Sequence, residues 1–188
     1  MIAIGIDPGK KGCVTLLKQK QGCKEIVFYD MPLNKKGETK SINAKALFDF
    51  LLTIKDKNKD GCFCFIEKAQ VMPNQGSRSG LTIGIGYGKL TTVLEILEID
   101  FKEIRPVEWK NEFDLNIKRD KTKDAKTKKK EKKLLTAKRA CELYPNLKKE
   151  FYTKRNSLMD GRTDSLLIAE YCFRKKTNNI FRKKRKRK

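Results

Sequence analysis

Four acidic residues stand where a carboxylate could do chemistry. Asp7 and Glu67 each come directly after an apolar segment that predicts a buried strand. Asp160 and Asp164 lie four residues apart at the start of an apolar segment with helical spacing, so both face the same side of a helix. If the two strands are parallel neighbours, ~4.8 Å apart, their ends bring Asp7 and Glu67 together. The start of the helix can then add the other two acids.

Clustered carboxylates imply a bound cation, because they repel each other and lose hydration energy unless a cation neutralises them. Oxygen ligands select Mg²⁺ or Mn²⁺, and two such ions ~3.5–4 Å apart would activate water and stabilise the leaving oxygen in phosphodiester cleavage. The chain contains no histidine, which excludes the commonest general base and the Ser-His and Cys-His nucleophile pairs. We therefore predict two magnesium ions, replaceable by manganese, bound by Asp7, Glu67, Asp160 and Asp164.

The same acids also have a purely structural interpretation. Aspartate before Pro-Gly is a common turn residue, which describes Asp7. Asp160 and Asp164 can cap a helix and complement its dipole. Glu67 has no such role, because it follows a fully apolar strand. The joint pattern favours the metal site.

The spacing of apolar residues predicts an α/β layered domain with a mixed sheet. Strands are predicted at residues 2–7, 13–18, 25–30, 62–66 and 101–105. Helices are predicted at residues 44–54, 81–99, 134–143 and 164–173. The strand at 62–66 is apolar at every position, which is typical of a strand that is buried on both faces.

The net charge of +22 is concentrated in two segments. Residues 118–133 hold ten Lys or Arg against three acids, and residues 173–188 hold ten against none. Such segments are typical of proteins that bind a polyanion, although solvation or a nuclear-import signal also explains the second one. We predict a nuclease domain over residues 1–174, with 118–133 a flexible basic insertion and 175–188 a disordered basic tail.

Other classes of protein fit the sequence less well. The chain has no apolar run of the ~20 residues that a membrane span needs and no signal-peptide pattern, so we expect a soluble, intracellular protein without membrane contact. Gly84, Gly86 and Gly88 match no phosphate-binding loop, and no nucleotide cofactor is predicted. We expect these glycines to allow close packing of a helix, against the sheet or across a dimer axis. Trp109 is predicted to lie in the core rather than to stack on a base.

Five motifs occur in order across most of the chain: GIDPGKKG (5–12), FIEKAQVMP (65–73), IGIGYGKL (83–90), PVEWK (106–110) and DGRTDSLLIAEY (160–171). Together they resemble the RuvC-type Holliday junction resolvases, and most of all the phage- and virus-type relatives. The resemblance implies a ribonuclease-H-like three-layer fold with a mixed five-stranded sheet flanked by helices. It also implies a homodimer and metal-dependent cleavage of four-way DNA junctions by paired symmetrical nicks. A viral enzyme would act in the cytoplasm or nucleus of its host cell.

By position, the resemblance assigns Asp7, Glu67 and Asp164 as acidic ligands. In the bacterial enzymes the last two acids are three residues apart, whereas here Gly161 occupies that place and Asp160 precedes Asp164 by four. Positions i−3 and i−4 face nearly the same way at a helix start, so Asp160 keeps a predicted metal role.

The resemblance also matches lysines. Lys110 corresponds to a family lysine after the fifth strand, and Lys132 or Lys133 to a catalytic lysine beside the scissile phosphate. The predicted DNA-binding residues are Lys10, Lys11, Arg78, Lys110, Lys128, Lys129 and Lys130.

Two other functions remain open from the sequence. The first is a nuclease for flaps, replication forks or other branched DNA. The second is a non-catalytic nucleic-acid-binding module whose acids are only caps. An actin-like nucleotide-binding fold needs two lobes, and 188 residues are too few for that.

Overall fold

The computed structural model describes residues 1–34, 40–58, 61–71, 76–116 and 124–185, with side chains up to residue 177. The strands are β1 (Ile2–Ile6), β2 (Cys13–Lys20), β3 (Cys23–Asp30), β4 (Cys62–Glu67) and β5 (Asp100–Ile104). The α-helices are α1 (Ala44–Asp56), α2 (Ser77–Ile96), α3 (Pro106–Glu112), α4 (Ala125–Leu143) and α5 (Asp160–Arg185), with a 3-10 helix at Pro145–Phe151. The order of elements that the sequence predicts is confirmed, with α3 and the 3-10 helix as additions.

All five strands form one mixed sheet in the order β3-β2-β1-β4-β5. β1 is antiparallel to β2, and β2 to β3, whereas β4 runs parallel to both β1 and β5. Ile6 of β1 pairs with Ile66 of β4. Asp7 and Glu67 each follow one of these paired residues, so they lie side by side at the carboxyl edge of the sheet. The sequence places Asp7 beside Glu67 only if the first and fourth strands are parallel neighbours, and the structure meets that condition.

Helices cover both faces of the sheet, so the fold has three layers. Alternate residues of a strand point to opposite faces, and Ile2, Ile4 and Ile6 of β1 pack on one side while Ala3 packs on the other. The first side is covered by α1 and α2, through Leu47, Leu51, Leu90, Val93 and Leu94. The second side is covered by α3, α4 and α5, through Trp109, Phe113, Ala140, Leu166, Leu167 and Ala169.

Gly5 allows α5 to lie directly on β1. A Cβ atom at Gly5 would be 2.2 Å from the carbonyl oxygen of Ser165 and 2.3 Å from the amide nitrogen of Ala169. One turn of α5 is also joined to β2, because the buried hydroxyls of Thr15 and Ser165 form a hydrogen bond of 2.7 Å. These contacts fix the first half of α5 against β1, the strand that directly precedes Asp7.

The two basic segments are more helical than the sequence predicts. α4 begins at Ala125, where the Asp124 side chain accepts a hydrogen bond from the Thr127 amide. The lysines that follow are good helix formers, and residues 125–133 lie in this helix. The flexibility of the segment stays a prediction. Residues 118–123 of that segment lie outside the described residues.

α5 crosses residue 174 without a break and runs to Arg185, so it includes most of the predicted disordered tail. Residues 186–188 lie outside the described part of the chain. Neither α5 nor any other helix within the described ranges is long and apolar enough to cross a membrane.

The glycines of α2 do not pack against the sheet as predicted. A Cβ atom at Gly84 or Gly88 would meet nothing within 4 Å, and one at Gly86 would meet only the Ile42 side chain, at 3.3 Å. α2 contacts the core instead through its second half, which holds its buried residues Leu90, Val93 and Leu94. Packing of these glycines across a dimer axis stays a prediction.

Candidate active site

Asp7 and Glu67 stand next to each other because their strands are paired in register up to Ile6 and Ile66. The pKa of Asp7 is raised from 3.8 to about 6, mainly by burial and in addition by the charges of Glu67 and Asp160. The Gly9 amide donates a hydrogen bond to Asp7 Oδ1 at 3.3 Å, which opposes this shift. Burial likewise raises the pKa of Glu67. The two carboxylates therefore stand on rigid strand ends without enough positive charge to neutralise them.

Gly161 explains the spacing of the last two acids. A Cβ atom at Gly161 would lie 2.2 Å from the carbonyl oxygen of Lys11 and 2.8 Å from the Cα of Gly12. The turn between β1 and β2 therefore touches the start of α5 and leaves no room for a side chain three residues before Asp164. An acid in this part of the helix fits one position earlier, where Asp160 lies.

Asp164 shares the electrostatic environment of the other three acids. Burial holds its pKa well above the usual value, and the charges of Asp7, Glu67 and Asp160 add to the shift. The positive charge of Lys110 opposes it. The structure thus brings all four predicted acids near one another at the carboxyl edge of the sheet.

Two of the predicted lysines belong to the same cluster. Lys133 forms an ion pair with Asp160 Oδ2, whereas Lys132 is exposed and pairs with no acid of the described residues. Lys110 lowers the pKa values of Asp7, Glu67 and Asp164, although burial still outweighs its charge. Of the two lysines that the sequence leaves open, Lys133 is the one in contact with the acids.

The other predicted DNA-binding residues lie on three elements: the turn after Asp7, α2 and α4. Lys10 and Lys11 are exposed on the turn after Asp7, and Arg78 is exposed in the first turn of α2. Lys128, Lys129 and Lys130 lie on α4, three to five residues before Lys133. Their role in binding DNA stays a prediction.

Trp109 contacts the candidate site in a way that sequence reasoning missed. Its ring is fully buried, as predicted, and its Nε1 donates a hydrogen bond of 2.7 Å to Glu67 Oε2. Glu67 pairs with Ile104 in the sheet, and α3 begins two residues after Ile104. That short connection is the one sequence signal that could have placed Trp109 beside Glu67. The bond lowers the pKa of Glu67, against the larger effect of burial, and fixes one carboxylate oxygen.

Replacing Trp109 by Phe is expected to raise the pKa of Glu67, because the carboxylate loses its N–H donor. The lost hydrogen bond and the smaller ring should also lower the free energy of unfolding by about 1–3 kcal/mol. Carbon-13 NMR titration of the Glu67 carboxyl measures the first effect, and urea denaturation the second. Phe113→Leu is the matched control, since Phe113 lies in the same core without a polar atom. An equal pKa in both variants would contradict a positioning role for Trp109.

The donor chemistry fits a divalent cation, because the cluster offers only carboxylate oxygens and carries unneutralised negative charge. The side chains are nevertheless not gathered around a metal position. Across the described ranges, no group of three or more His, Cys, Asp or Glu residues is close enough to hold a metal ion. For Asp160 to become a ligand, Lys133 has to release it and the carboxylates have to draw together.

Comparison with known structures finds the same fold elsewhere. The chain is similar to Thermus thermophilus RuvC in complex with a Holliday junction substrate, with 13% identity, 90% of each chain covered and a TM-score of 0.51. A second Thermus thermophilus RuvC structure aligns with 14% identity over 90% of this chain and 91% of the other, with a TM-score of 0.49. No family model and no curated protein sequence matches the chain. The fold is therefore RuvC-like, with the ribonuclease-H-like mixed sheet that the motifs predict.

Proposed function

We propose that the chain is a magnesium-dependent DNA endonuclease that resolves four-way junctions by paired symmetrical nicks. The observation that carries this proposal is the meeting of Asp7, Glu67, Asp160 and Asp164 at one edge of the sheet. The fold supports it, because the RuvC structure that shares this fold is described with a Holliday junction substrate. The narrower assignment, to the phage- and virus-type resolvases, rests on the sequence motifs and is part of the proposal.

The chemistry is divided between a bound cation and the chain. Two Mg²⁺ or Mn²⁺ ions, when bound, supply an activated water and stabilise the leaving oxygen. Asp7 and Glu67 lie at the ends of two hydrogen-bonded strands, so their carboxylates keep a fixed spacing. Trp109 orients the Glu67 carboxylate through its hydrogen bond. Lys110 and Lys133 offset the negative charge that develops at the phosphate.

The substrate's symmetry and charge set two further requirements. A four-way junction has twofold symmetry, so paired nicks call for a C2 dimer with two sites. The exposed lysines of α4 and of the turn after Asp7 add affinity that does not depend on sequence and that falls with salt. We propose that the dimer acts inside the cell, or inside the host cell if the protein is viral.

The test is nicking of a mobile four-way junction, with each strand labelled in turn, in Mg²⁺ and in Mn²⁺. Flap, fork and linear duplex substrates are run beside it. The expected result is paired cuts at symmetrical positions on the junction, with much slower cutting of the other substrates.

Two results would contradict the proposal. Equal cutting of flaps and forks would favour a general nuclease for branched DNA. Tight junction binding without cleavage in either metal would favour a binding module whose acids serve only as caps.

A further inference from the structure

α5 runs across the sheet, away from the candidate active site. It begins at Asp160, and its next turns lie against Gly5, near the carboxyl end of β1. Further on, the Cys172 thiol donates a hydrogen bond of 3.4 Å to the carbonyl oxygen of Phe63, the second residue of β4. The ammonium group of Lys176 lies 3.0 Å from the centre of the Phe63 ring. At Lys176, α5 has therefore reached the amino edge of the sheet.

The helix continues beyond that edge. α5 has 26 residues and ends at Arg185, so residues 177–185 follow Lys176. At ~1.5 Å per residue they extend ~13 Å further, and Arg185 lies ~38 Å along the helix from Asp160. Residues 177–185, which we call the end of α5, thus lie on the side of the sheet opposite the four acids.

The end of α5 carries positive charge without a nearby acid in the sequence. Glu170 is the last acidic residue of the chain, whereas residues 182–188 are all Lys or Arg. Arg174 and Lys175 still pair with Glu112, at 3.7 and 3.0 Å. Residues 182–185 have no acid within the four positions over which side chains of one helix interact. Their charge is therefore available to a polyanion.

We propose that the end of α5 binds a second DNA duplex, separate from the DNA at the candidate active site. This goes beyond the proposed function, which needs DNA only at the carboxyl edge of the sheet. Duplex DNA carries one phosphate per ~1.7 Å of its axis, and these phosphates bind lysine and arginine whatever the sequence. One protein can then hold its substrate and a neighbouring duplex at the same time.

The stiffness of DNA separates the two duplexes. An arm bound beside the acids would have to turn back within ~38 Å to reach the end of α5, which is ~11 base pairs at ~3.4 Å each. The persistence length of DNA is ~150 base pairs, so such a reversal is prohibitively costly. The two edges of the sheet therefore serve different segments of DNA.

Composition favours DNA over an acidic protein as the occupant. Charged residues are depleted at the centre of protein–protein interfaces, whereas protein–DNA interfaces are much more positively charged. In residues 177–185, four are Lys or Arg and only Ile180 and Phe181 are apolar. The end of α5 thus offers a partner charge rather than an apolar surface.

Two adjacent lysines allow the charge to be removed without breaking the helix. Lys183→Gln combined with Lys184→Gln takes two charges from the end of α5, and glutamine favours a helix about as well as lysine. The matched control is Lys148→Gln combined with Lys149→Gln, two exposed adjacent lysines in the 3-10 helix. Both variants lower the net charge equally. A difference between them therefore depends on where the charge is lost.

The experiment measures bridging of two DNA molecules in EDTA, where no nicking is expected. Four-way junctions fixed to beads are loaded with protein and washed, and a fluorescent linear duplex is added at several salt concentrations. The wild type and the control should retain the duplex on the beads. Lys183→Gln with Lys184→Gln should leave the junction-bound protein in place but lower duplex retention roughly tenfold or more. Its slope of log affinity against log salt should be shallower by about 2.

Three results would overturn the inference: no duplex retained by the wild type, equal retention by the two double variants, or a loss of junction-bound protein that matches the loss of duplex. The last would place the end of α5 on the junction itself. Fluorescent poly-glutamate retained in place of the duplex would also overturn it and indicate an acidic protein partner. The assay needs no cleavage, so a protein that bridges but never nicks would contradict the proposed function and not this inference.

Discussion

Replacing Asp164 by asparagine is expected to slow nicking strongly and, in the same protein, to raise the free energy of unfolding when no divalent cation is present. Both effects have one cause. The carboxylate is buried beside Asp7, Glu67 and Asp160, so its charge costs free energy until a cation neutralises the cluster. Asparagine keeps the shape of the side chain and removes the charge. Asp7→Asn should behave in the same way.

The sign of the stability effect follows from the direction of the pKa shifts. Asp7 has a pKa raised from 3.8 to about 6, so the folded protein binds this proton more tightly than the unfolded chain. The contribution of Asp7 to stability is therefore most favourable at low pH and falls as the pH rises through that interval. Asp164 shifts in the same direction. For Asp7 a shift from 3.8 to about 6 corresponds to roughly 3 kcal/mol near pH 7.5, at ~1.4 kcal/mol per pKa unit. Burial of the polar amide offsets part of this gain. Asp7→Asn should therefore be about 1–2 kcal/mol more stable than the wild type, and Asp164→Asn should be more stable as well.

Thermal unfolding in EDTA measures this gain as a rise in Tm of about 2–6 °C. Added magnesium should stabilise the wild type more than either variant, because only the wild type retains all four carboxylates. Single-turnover nicking should fall by roughly a hundred- to a thousandfold, the loss typical of one electrostatic group in an active site. Asp49→Asn is the control, since Asp49 is an exposed acid on α1 that pairs with Lys45. It should change neither quantity.

The opposite stability result would identify the acids as structural. A side chain that caps a helix or a turn stabilises the fold, and its loss costs about 0.5–2 kcal/mol. A less stable Asp164→Asn protein that still nicks would therefore contradict the metal site. A variant that is less stable and does not nick would contradict the claim that the buried charge destabilises the fold. It would still agree with a role of Asp164 in cleavage.

The acids on the strands could be predicted from the sequence, because an apolar strand that ends at a carboxylate is a local pattern. The pairing of β1 with β4 is only a condition of that prediction, and in the structure their common register places Asp7 beside Glu67. The three-layer arrangement could also be predicted. Alternate side chains of β1 point to opposite faces of the sheet, so each face needs a layer of helices to pack against.

Contacts between distant segments could not be predicted in this way. The approach of Lys11 to Gly161 excludes a side chain at position 161, and these residues are 150 positions apart in sequence. Whether Lys132 or Lys133 faces the acids depends on how α4 is rotated about its axis. With ten basic residues in residues 118–133, the sequence shows no pattern from which this rotation could be predicted. The prediction that the glycines of α2 pack against the sheet is wrong for a related reason. Their spacing is local, but the Ile42 side chain that faces Gly86 comes from another element.

Glu170 is a second residue whose role depends on distant segments, and its replacement by glutamine is expected to destabilise the fold by about 2–3 kcal/mol. The side chain lies on α5, is only 3% exposed, and accepts hydrogen bonds from three other residues. Lys24 Nζ donates at 2.7 Å, the Tyr144 hydroxyl at 2.6 Å and Arg174 Nε at 2.8 Å. It thereby joins β3, the end of α4 and α5.

The cost arises because glutamine removes the negative charge and turns half of the carboxylate into a donor. Lys24 would then lose its acidic partner Glu170, Arg174 would keep only its longer pair with Glu112, at 3.7 Å, and Tyr144 would lose a charged acceptor. Breaking a buried ion pair by removing one partner costs about 3–5 kcal/mol. The expected value here is lower because the side chains of Lys24 and Arg174 are 30% and 33% exposed, so water can solvate them.

The pH dependence of the Glu170→Gln effect distinguishes a buried ion pair from simple packing. Burial alone would raise the pKa of Glu170, but the hydrogen bonds from Lys24, Tyr144 and Arg174 outweigh it and hold the pKa below the ordinary value of 4.5. The stabilisation is therefore present above about pH 4.5 and is lost as the pH falls through the lower, folded-state pKa. Urea denaturation of the two proteins should give a difference that is full at neutral pH and narrows in acid. A difference that stays constant with pH would assign the loss to packing.

Glu142→Gln is the matched control, because Glu142 pairs with Arg139 at 3.1 Å on the surface of α4, where its side chain is 46% exposed. An exposed pair of this kind contributes only ~0–1 kcal/mol, so the control should change stability little at any pH. Equal losses of unfolding free energy in both variants would mean that Glu170 contributes no more to stability than a surface ion pair. In that case the attachment of α5 to β3 would depend on its apolar contacts, and the position of Asp164 would rest on the close approach at Gly5 and Gly161.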